Sequence, residues 1–168
     1  MATLWLVGMP GSGKSTVGPL VAQGLGRDFV DLDEAVGAAA GLAIPAIFAA
    51  EGEAGFRRRE TAALVATAGR EAVVACGGGI VVGPGNVDVM RGSGMVAWLE
   101  APAAVLAERV GEGAGRPLLE QEADSAVAGL LASRQAAYAA AAHCRVETAG
   151  RTPEEVAEEV VQRWSDFE

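Results

Sequence analysis

Nine residues, Gly8 to Thr16 (GMPGSGKST), follow directly on the apolar run Leu4-Trp5-Leu6-Val7. Gly8-x4-Gly13-Lys14-Ser15 is the pattern of a phosphate-binding loop, and it has the strand before it and the helix after it that the motif requires. Glycines let successive backbone N–H groups turn inward around an anion, and the N-terminus of the next helix adds the positive end of its dipole. Lys14 supplies a movable point charge for β- and γ-phosphates, and Ser15 offers its hydroxyl to Mg2+.

The rest of the chain reads as strands alternating with helices. Strands are expected over Thr3 to Val7, Asp28 to Leu32, Glu71 to Cys76, Met95 to Leu99 and Arg145 to Thr148. Helices are expected over Lys14 to Leu25, over Glu34 to Ala68 with a break at Gly41 to Pro45, over Pro102 to Val110 and over Ala123 to Ala142. Thr152 and Pro153 open a last helix as N-cap and first-turn proline. Residues 111–119 (GEGAGRPLL) read as a mobile loop. Near-continuous apolar strands separated by helices mean a parallel sheet covered on both faces.

A length of 168 residues with 51% hydrophobic content is one domain with a substantial core. Charges or Gly and Pro interrupt every apolar run, so no membrane span is expected, and the first residues carry no signal-peptide pattern. Twenty-two acidic residues against 13 basic ones give a net charge of −9, the wrong sign for a nucleic-acid partner. An anionic small molecule must therefore be held by a local cluster of cations. Cys76 and Cys144 form no disulfide framework and match no metal-ligand spacing, which suits a cytoplasmic protein with two reduced thiols.

The chain has no base-reading Asn-Lys-x-Asp segment of a switch GTPase and no Ser-Gly-Gly signature of a transporter ATPase. A small-molecule kinase remains, and four features suit one. Asp31 and Asp33, read as the end of a strand, point to one side, where one carboxylate can serve the metal and the other a substrate hydroxyl; a helix cap plus a surface aspartate is the alternative. Arg57, Arg58 and Arg59 follow in a helical stretch, so at most one or two can enter a site. Gly77-Gly78-Gly79 allows close backbone approach to a ligand, or is a plain tight turn. Arg116-Pro117-Leu118 places an arginine where a lid could close, or on an ordinary surface loop.

Taken together, GMPGSGKST, FVDLDEAV, IPAIFAAEGEAGFRRRE, GGGIVV, RPLL and the Arg134-x3-Tyr138 pair resemble shikimate kinase over nearly the whole chain. The resemblance implies a three-layer α/β sandwich of the P-loop, nucleoside monophosphate kinase-like type, with a five-stranded parallel sheet. It implies a single domain, 1–168, with core segments 1–32, 61–110 and 124–168, a substrate-binding subdomain about 33–60 and a lid about 111–123. The implied reaction moves the γ-phosphoryl of ATP to the 3-hydroxyl of shikimate, with one Mg2+ per subunit, in a cytoplasmic monomer with no nucleic-acid or membrane partner.

By the same resemblance, Lys14 and the amides of Gly11, Ser12, Gly13, Ser15 and Thr16 hold the phosphates, and Ser15 and Asp31 serve Mg2+. Asp33 is implied to bind the ring hydroxyls and take the proton. Arg57 and Arg134 clamp the substrate carboxylate beside Gly78 and Gly79, with Phe48 and Phe56 as pocket walls. Arg116 is the implied lid arginine, Arg109 another site-facing arginine, and Arg151 lies in the segment that packs on adenine. Cys76, Asn86-Val87 and Ala149-Gly150 depart from the usual pattern, the last putting adenine contacts in doubt. His143, Trp5, Trp98 and Trp164 are read as structural. Two rival readings remain: a gluconate kinase, and a nucleotide-binding module without activity.

Overall fold

The computed structural model describes residues 2–114 and 120–168. Five strands, β1 (Thr3–Val7), β2 (Asp28–Asp31), β3 (Ala72–Ala75), β4 (Gly94–Glu100) and β5 (Cys144–Glu147), form one sheet in the order β2-β3-β1-β4-β5. Every pairing is parallel, with Leu4 opposite Val73, Leu6 opposite Ala97, Val30 opposite Val74 and Leu99 opposite Val146. The three-layer α/β architecture expected from the sequence is therefore present.

Alternation along β1 divides the core between the two faces of the sheet. Trp5 and Val7 pack with Leu64, Val74, Met90, Trp98 and Tyr138 on one side. Leu4 and Leu6 pack with Val17, Val21, Val156, Val160 and Trp164 on the other, beneath α1 (Lys14–Leu25) and α7 (Pro153–Phe167). Trp5, Trp98 and Trp164 are all buried, as expected of core residues. Cys76 is buried with them, whereas Cys144 is half-buried. Helix α7 begins on the expected Thr152 cap, where Thr152 Oγ1 accepts from Glu155 N and Glu155 Oε2 accepts from Thr152 N.

Several boundaries differ from the expected ones. Strand β2 stops at Asp31, because the Asp31 carboxylate accepts from Asp33 N and Glu34 N and so caps α2 (Leu32–Ala40). Asp33 therefore stands in the first turn of a helix, not on a strand. Helix α3 (Ile44–Thr67) takes in Ile44 and Pro45, which the sequence reading assigned to the break. It also bends sharply at Gly52 (φ 69°, ψ −177°), a conformation open essentially to glycine alone. That bend stacks Phe48 on Phe56, with ring centroids 4.6 Å apart, although a straight helix would separate residues eight apart by about 12 Å. A small cluster of Val36, Ile47 and Phe56 forms there, apart from the two main cores.

Residues 80–93 received no helix in the sequence reading, yet Ile80–Val82 form a 3-10 turn and α4 (Asn86–Ser93) follows. Buried Asn86 ties this segment together by donating to Ile80 O at 3.0 Å and accepting from Thr61 Oγ1 at 3.0 Å. Helix α5 (Ala103–Ala114) carries on through residues 111–114, which were expected to be loop, because the propensity penalty of glycine is a weak prior. Helix α6 spans Glu120–Ala141.

His143 closes the junction between α6 and β5. Its backbone N–H donates to Val96 O at 2.8 Å, and its Nδ1 accepts from Val96 N at 2.9 Å, so the ring imitates a strand partner. The structural role is as expected. Burial, then the nearby Arg91, holds the His143 pKa below its usual value, and the acceptor Nδ1 requires the neutral ring. The folded chain thus binds fewer protons than the unfolded one below about pH 6.5, and this contribution to stability is lost as pH falls. NMR titration of His143, the chain's one histidine, is expected to give a midpoint below that of a free imidazole; an equal or higher midpoint contradicts the assignment.

Candidate active site

The carboxyl ends of β1, β2 and β3 open on a cavity of about 830 Å3. The phosphate loop forms its floor. Gly13, with φ 99°, sits at the N-cap of α1 and supplies the left-handed turn that feeds the helix. Gly8 approaches β4 so closely that a Cβ there would lie 2.5 Å from Leu99 O. Lys14 reaches back into the loop and donates to Gly8 O at 2.7 Å, Met9 O at 2.9 Å and Ser12 Oγ at 3.3 Å. It is almost wholly buried, and that burial lowers its pKa to about 8, with Cys76, Asp33 and Asp31 pulling it upward. Its charge is thus held inside the loop, facing the place an anion would take. Ser12 is buried beside it, while Ser15 and Thr16 are exposed at the first turn of α1.

Ser15 Oγ donates to Asp31 Oδ2 at 3.1 Å. A hydroxyl paired with a carboxylate is a hard oxygen donor set, and two protein ligands plus phosphate oxygens and water suit Mg2+. Asp31 was expected to serve either a metal or a helix cap. Its two oxygens divide these tasks: Oδ1 caps α2 and Oδ2 meets Ser15.

Another wall is formed by Gly77 and Gly78, the first two residues of the turn Gly77-Gly78-Gly79 after β3. Each glycine leaves room for a different charged side chain. A Cβ on Gly77 would lie 3.1 Å from Asp33 Oδ1 and 2.7 Å from Glu60 Oε2. On Gly78 it would lie 3.2 Å from Arg134 Nη1 and 3.0 Å from Pro10 Cδ of the phosphate loop. On Gly79 it would lie 2.5 Å from both terminal nitrogens of Arg57. Adjacent Cα atoms are about 3.8 Å apart, so Asp33, Arg134 and Arg57 all come within on the order of 10 Å of one another. Asp33 Oδ1 and Glu60 Oε2 are buried without a hydrogen-bond partner. Burial, then the neighbouring Asp31, raises the Asp33 pKa, against the pull of Lys14 and Arg57.

Of the three consecutive arginines, only Arg57 reaches the glycine turn. Its Nη1 donates to Glu60 Oε1 at 3.0 Å, and its guanidinium lies 5.3 Å from the Phe56 ring centre. Arg59 pairs with Glu51 across the Gly52 bend, and Arg58 is exposed. Phe56 is buried, and Phe48 is 39% exposed beside it.

At the far end, Arg109 Nη1 donates to Gly11 O at 3.1 Å and Thr148 Oγ1 at 3.0 Å, and Nη2 to Thr148 O at 3.3 Å. It joins the phosphate loop to the segment between β5 and α7. Arg151 lines the cavity there, with Nη1 paired to Glu159 Oε2 at 2.6 Å. Arg116 lies outside the described residues.

Glu60 bonds Arg57 and Tyr138 bonds the Gly78 carbonyl, and the sequence reading assigned neither a role. Glu60 stands three residues after Arg57, a spacing at which helical side chains meet, and that was its one signal. Tyr138 is quoted in the Arg134-x3-Tyr138 pair, but nothing in the sequence locates the carbonyl it bonds.

The shikimate kinase family model matches residues 10–165. The shikimate kinase of Halorhodospira halophila is 43% identical over 161 residues, covering 95% of this chain and 91% of the relative. The solved structure of shikimate kinase from Acinetobacter baumannii in complex with shikimate superposes with a TM-score of 0.90 at 34% identity, covering 99% of this chain and 94% of that one. A gluconokinase from Sinorhizobium meliloti shares the fold alone, with a TM-score of 0.65 at 18% identity over 98% of this chain and 92% of that one.

The burial of Lys14 has a measurable consequence. Below about pH 8 it is already charged; above, it is increasingly neutral, and an arriving phosphate must restore the proton. Calorimetry of nucleotide binding at pH 8.5 is expected to show proton uptake as a difference between two buffers of unlike ionisation heat, and little at pH 6.5. Equal heats in both buffers at pH 8.5 contradict it.

Proposed function

The chain belongs to the shikimate kinase family, and on that premise we propose that it transfers the γ-phosphoryl of ATP to the 3-hydroxyl of shikimate. One observation carries this reading: Asp33, Arg57 and Arg134 meet on a single glycine turn that also touches the phosphate loop through Pro10. A ring-bearing acid held there by two guanidiniums presents its hydroxyl to Asp33 and to the phosphate in one cavity.

The residues would divide the work as follows. Lys14 and the amides of Gly11 to Thr16 hold the phosphates, and Lys14 leaves its three loop acceptors to follow the charge. Ser15 and Asp31 hold Mg2+, which neutralises charge on the phosphate oxygens when bound. Arg57, kept in place by Glu60, and Arg134 clamp the acceptor carboxylate through planar forks. Asp33 takes the hydroxyl proton as the new O–P bond forms and the bridge to the β-phosphate breaks. Its raised pKa suits a proton acceptor better than an ordinary carboxylate would. Arg109 and Arg151 border the nucleotide's far end. Arg116 would complete the charge cluster from a lid over about 111–123, and 33–60 would form the acceptor-binding subdomain.

No single described helix is long and apolar enough to cross a membrane. A cytoplasmic monomer is the state we propose, and light scattering in solution tests the second part.

A gluconokinase shares this fold at 18% identity, so the substrate has to be tested directly. An assay coupled to ADP release is expected to show turnover with shikimate and none with gluconate; turnover with gluconate alone rejects the reading. ATP binding without turnover on either favours the inactive module. Asp33→Asn is expected to lower kcat by about 10²- to 10⁴-fold with ATP binding intact. Arg57→Ala is expected to raise the shikimate KM by about 10- to 100-fold. If both variants lose ATP affinity equally instead, the assigned roles are wrong.

A further inference from the structure

The middle glycine of the turn is held from a distant helix. Tyr138 on α6 is fully buried, and its ring stacks on Trp98 of β4, with centroids 5.7 Å apart and 27° between the planes. Its hydroxyl donates to Gly78 O at 2.5 Å. Among the described residues, the carbonyls of Gly77 and Gly79 accept only local turn bonds, from Ile80 N at 3.1 Å and Val82 N at 3.2 Å. Arg134 lies one helical turn before Tyr138, so both side chains leave the same face of α6. One grips Gly78 at its carbonyl, the other borders its Cα, and Pro10 of the phosphate loop borders the same Cα.

We propose that Tyr138 is a positioning residue for the phosphoryl acceptor: its bond to the Gly78 carbonyl sets the turn against which Arg134 and the phosphate loop meet. The inference rests on the functional reading above. A run of glycines does not select its own conformation, since glycine is the least restricted residue and loses the most freedom on ordering. An outside contact has to choose, and it must be rigid to be useful. The stack on Trp98 restricts the Tyr138 ring, and a buried hydroxyl without this partner would be costly. The turn thereby inherits its position from the sheet through Trp98 and Tyr138. Because Gly78 lies between Arg134 and Pro10, a shift of that carbonyl moves the carboxylate clamp relative to the phosphates.

Tyr138→Phe keeps the ring and its packing and removes one oxygen. The expected result is a shikimate dissociation constant, measured by calorimetry, raised about five- to tenfold. The shikimate KM should rise in step, the ATP KM should stay within about twofold, and the thermal midpoint should fall by only a few degrees. Trp98→Phe is the packing control: it keeps the hydroxyl and should lower the thermal midpoint while the shikimate affinity changes less than in Tyr138→Phe. Shikimate binding by Tyr138→Phe within twofold of the unaltered chain overturns the inference alone. So does an equal loss of shikimate and ATP affinity, which marks general loosening. Failure of the unaltered chain to bind shikimate overturns the functional reading and this inference together.

Discussion

Three successive glycines at the end of β3 are the constraint on which the site depends. Asp33 with Glu60, Arg134, and Arg57 occupy, in that order, the space that side chains on Gly77, Gly78 and Gly79 would fill. A methyl group on Gly79 would displace a guanidinium, and one on Gly77 would meet two carboxylates. The turn is therefore less a ligand than a template. By lacking side chains it lets residues from α2, α3 and α6 converge on one small surface next to the phosphate loop.

Convergence of like and unlike charges in a shielded place sets the electrostatics. Burial lowers the Lys14 pKa and raises those of Asp33, Glu60 and Cys76, because each charged form loses water. Lys14 keeps its proton at neutral pH partly through Asp31 and Asp33, and Glu60 is drawn back down by Arg57. The chain carries a net charge of −9, so long-range attraction cannot hold an anionic acceptor. Two forked guanidiniums, Arg134 beside Gly78 and Arg57 beside Gly79, meet that need locally.

The fold frame was legible because its signals are local or periodic. The loop motif after a buried strand, the alternation of strands and helices, and the Thr152-Pro153 helix start all appear where the sequence put them. The kink at Gly52 was not legible. Its glycine meets nothing within 4 Å, so only the backbone dihedrals mark it, and a Gly within an Ala-rich helical stretch says nothing of its φ. Helix α4 escaped notice because its cap is the backbone of Gly85 and its bonds run through the side chain of Asn86 to residues on other elements. Asp33 lines the cavity, but not by the geometry the sequence reading used. Strand alternation would have pointed it beside Asp31, whereas the Asp31 cap turns the chain into a helix whose first turn brings Asp33 to Gly77.

Arg57 and Arg134 were singled out by the family resemblance, whereas residue type and spacing alone determined the phosphate loop, the parallel sheet and the candidates Lys14, Ser15, Asp31 and Asp33. These follow from chemistry that a short segment states completely. Tertiary structure decided which of three arginines turns inward, which oxygen of Asp31 caps a helix and which meets Ser15, and that Glu60 holds Arg57. It also decided that Tyr138 holds Gly78 across 60 residues of chain. Each of those choices depends on where a partner from a distant element comes to rest, and no local pattern encodes that position.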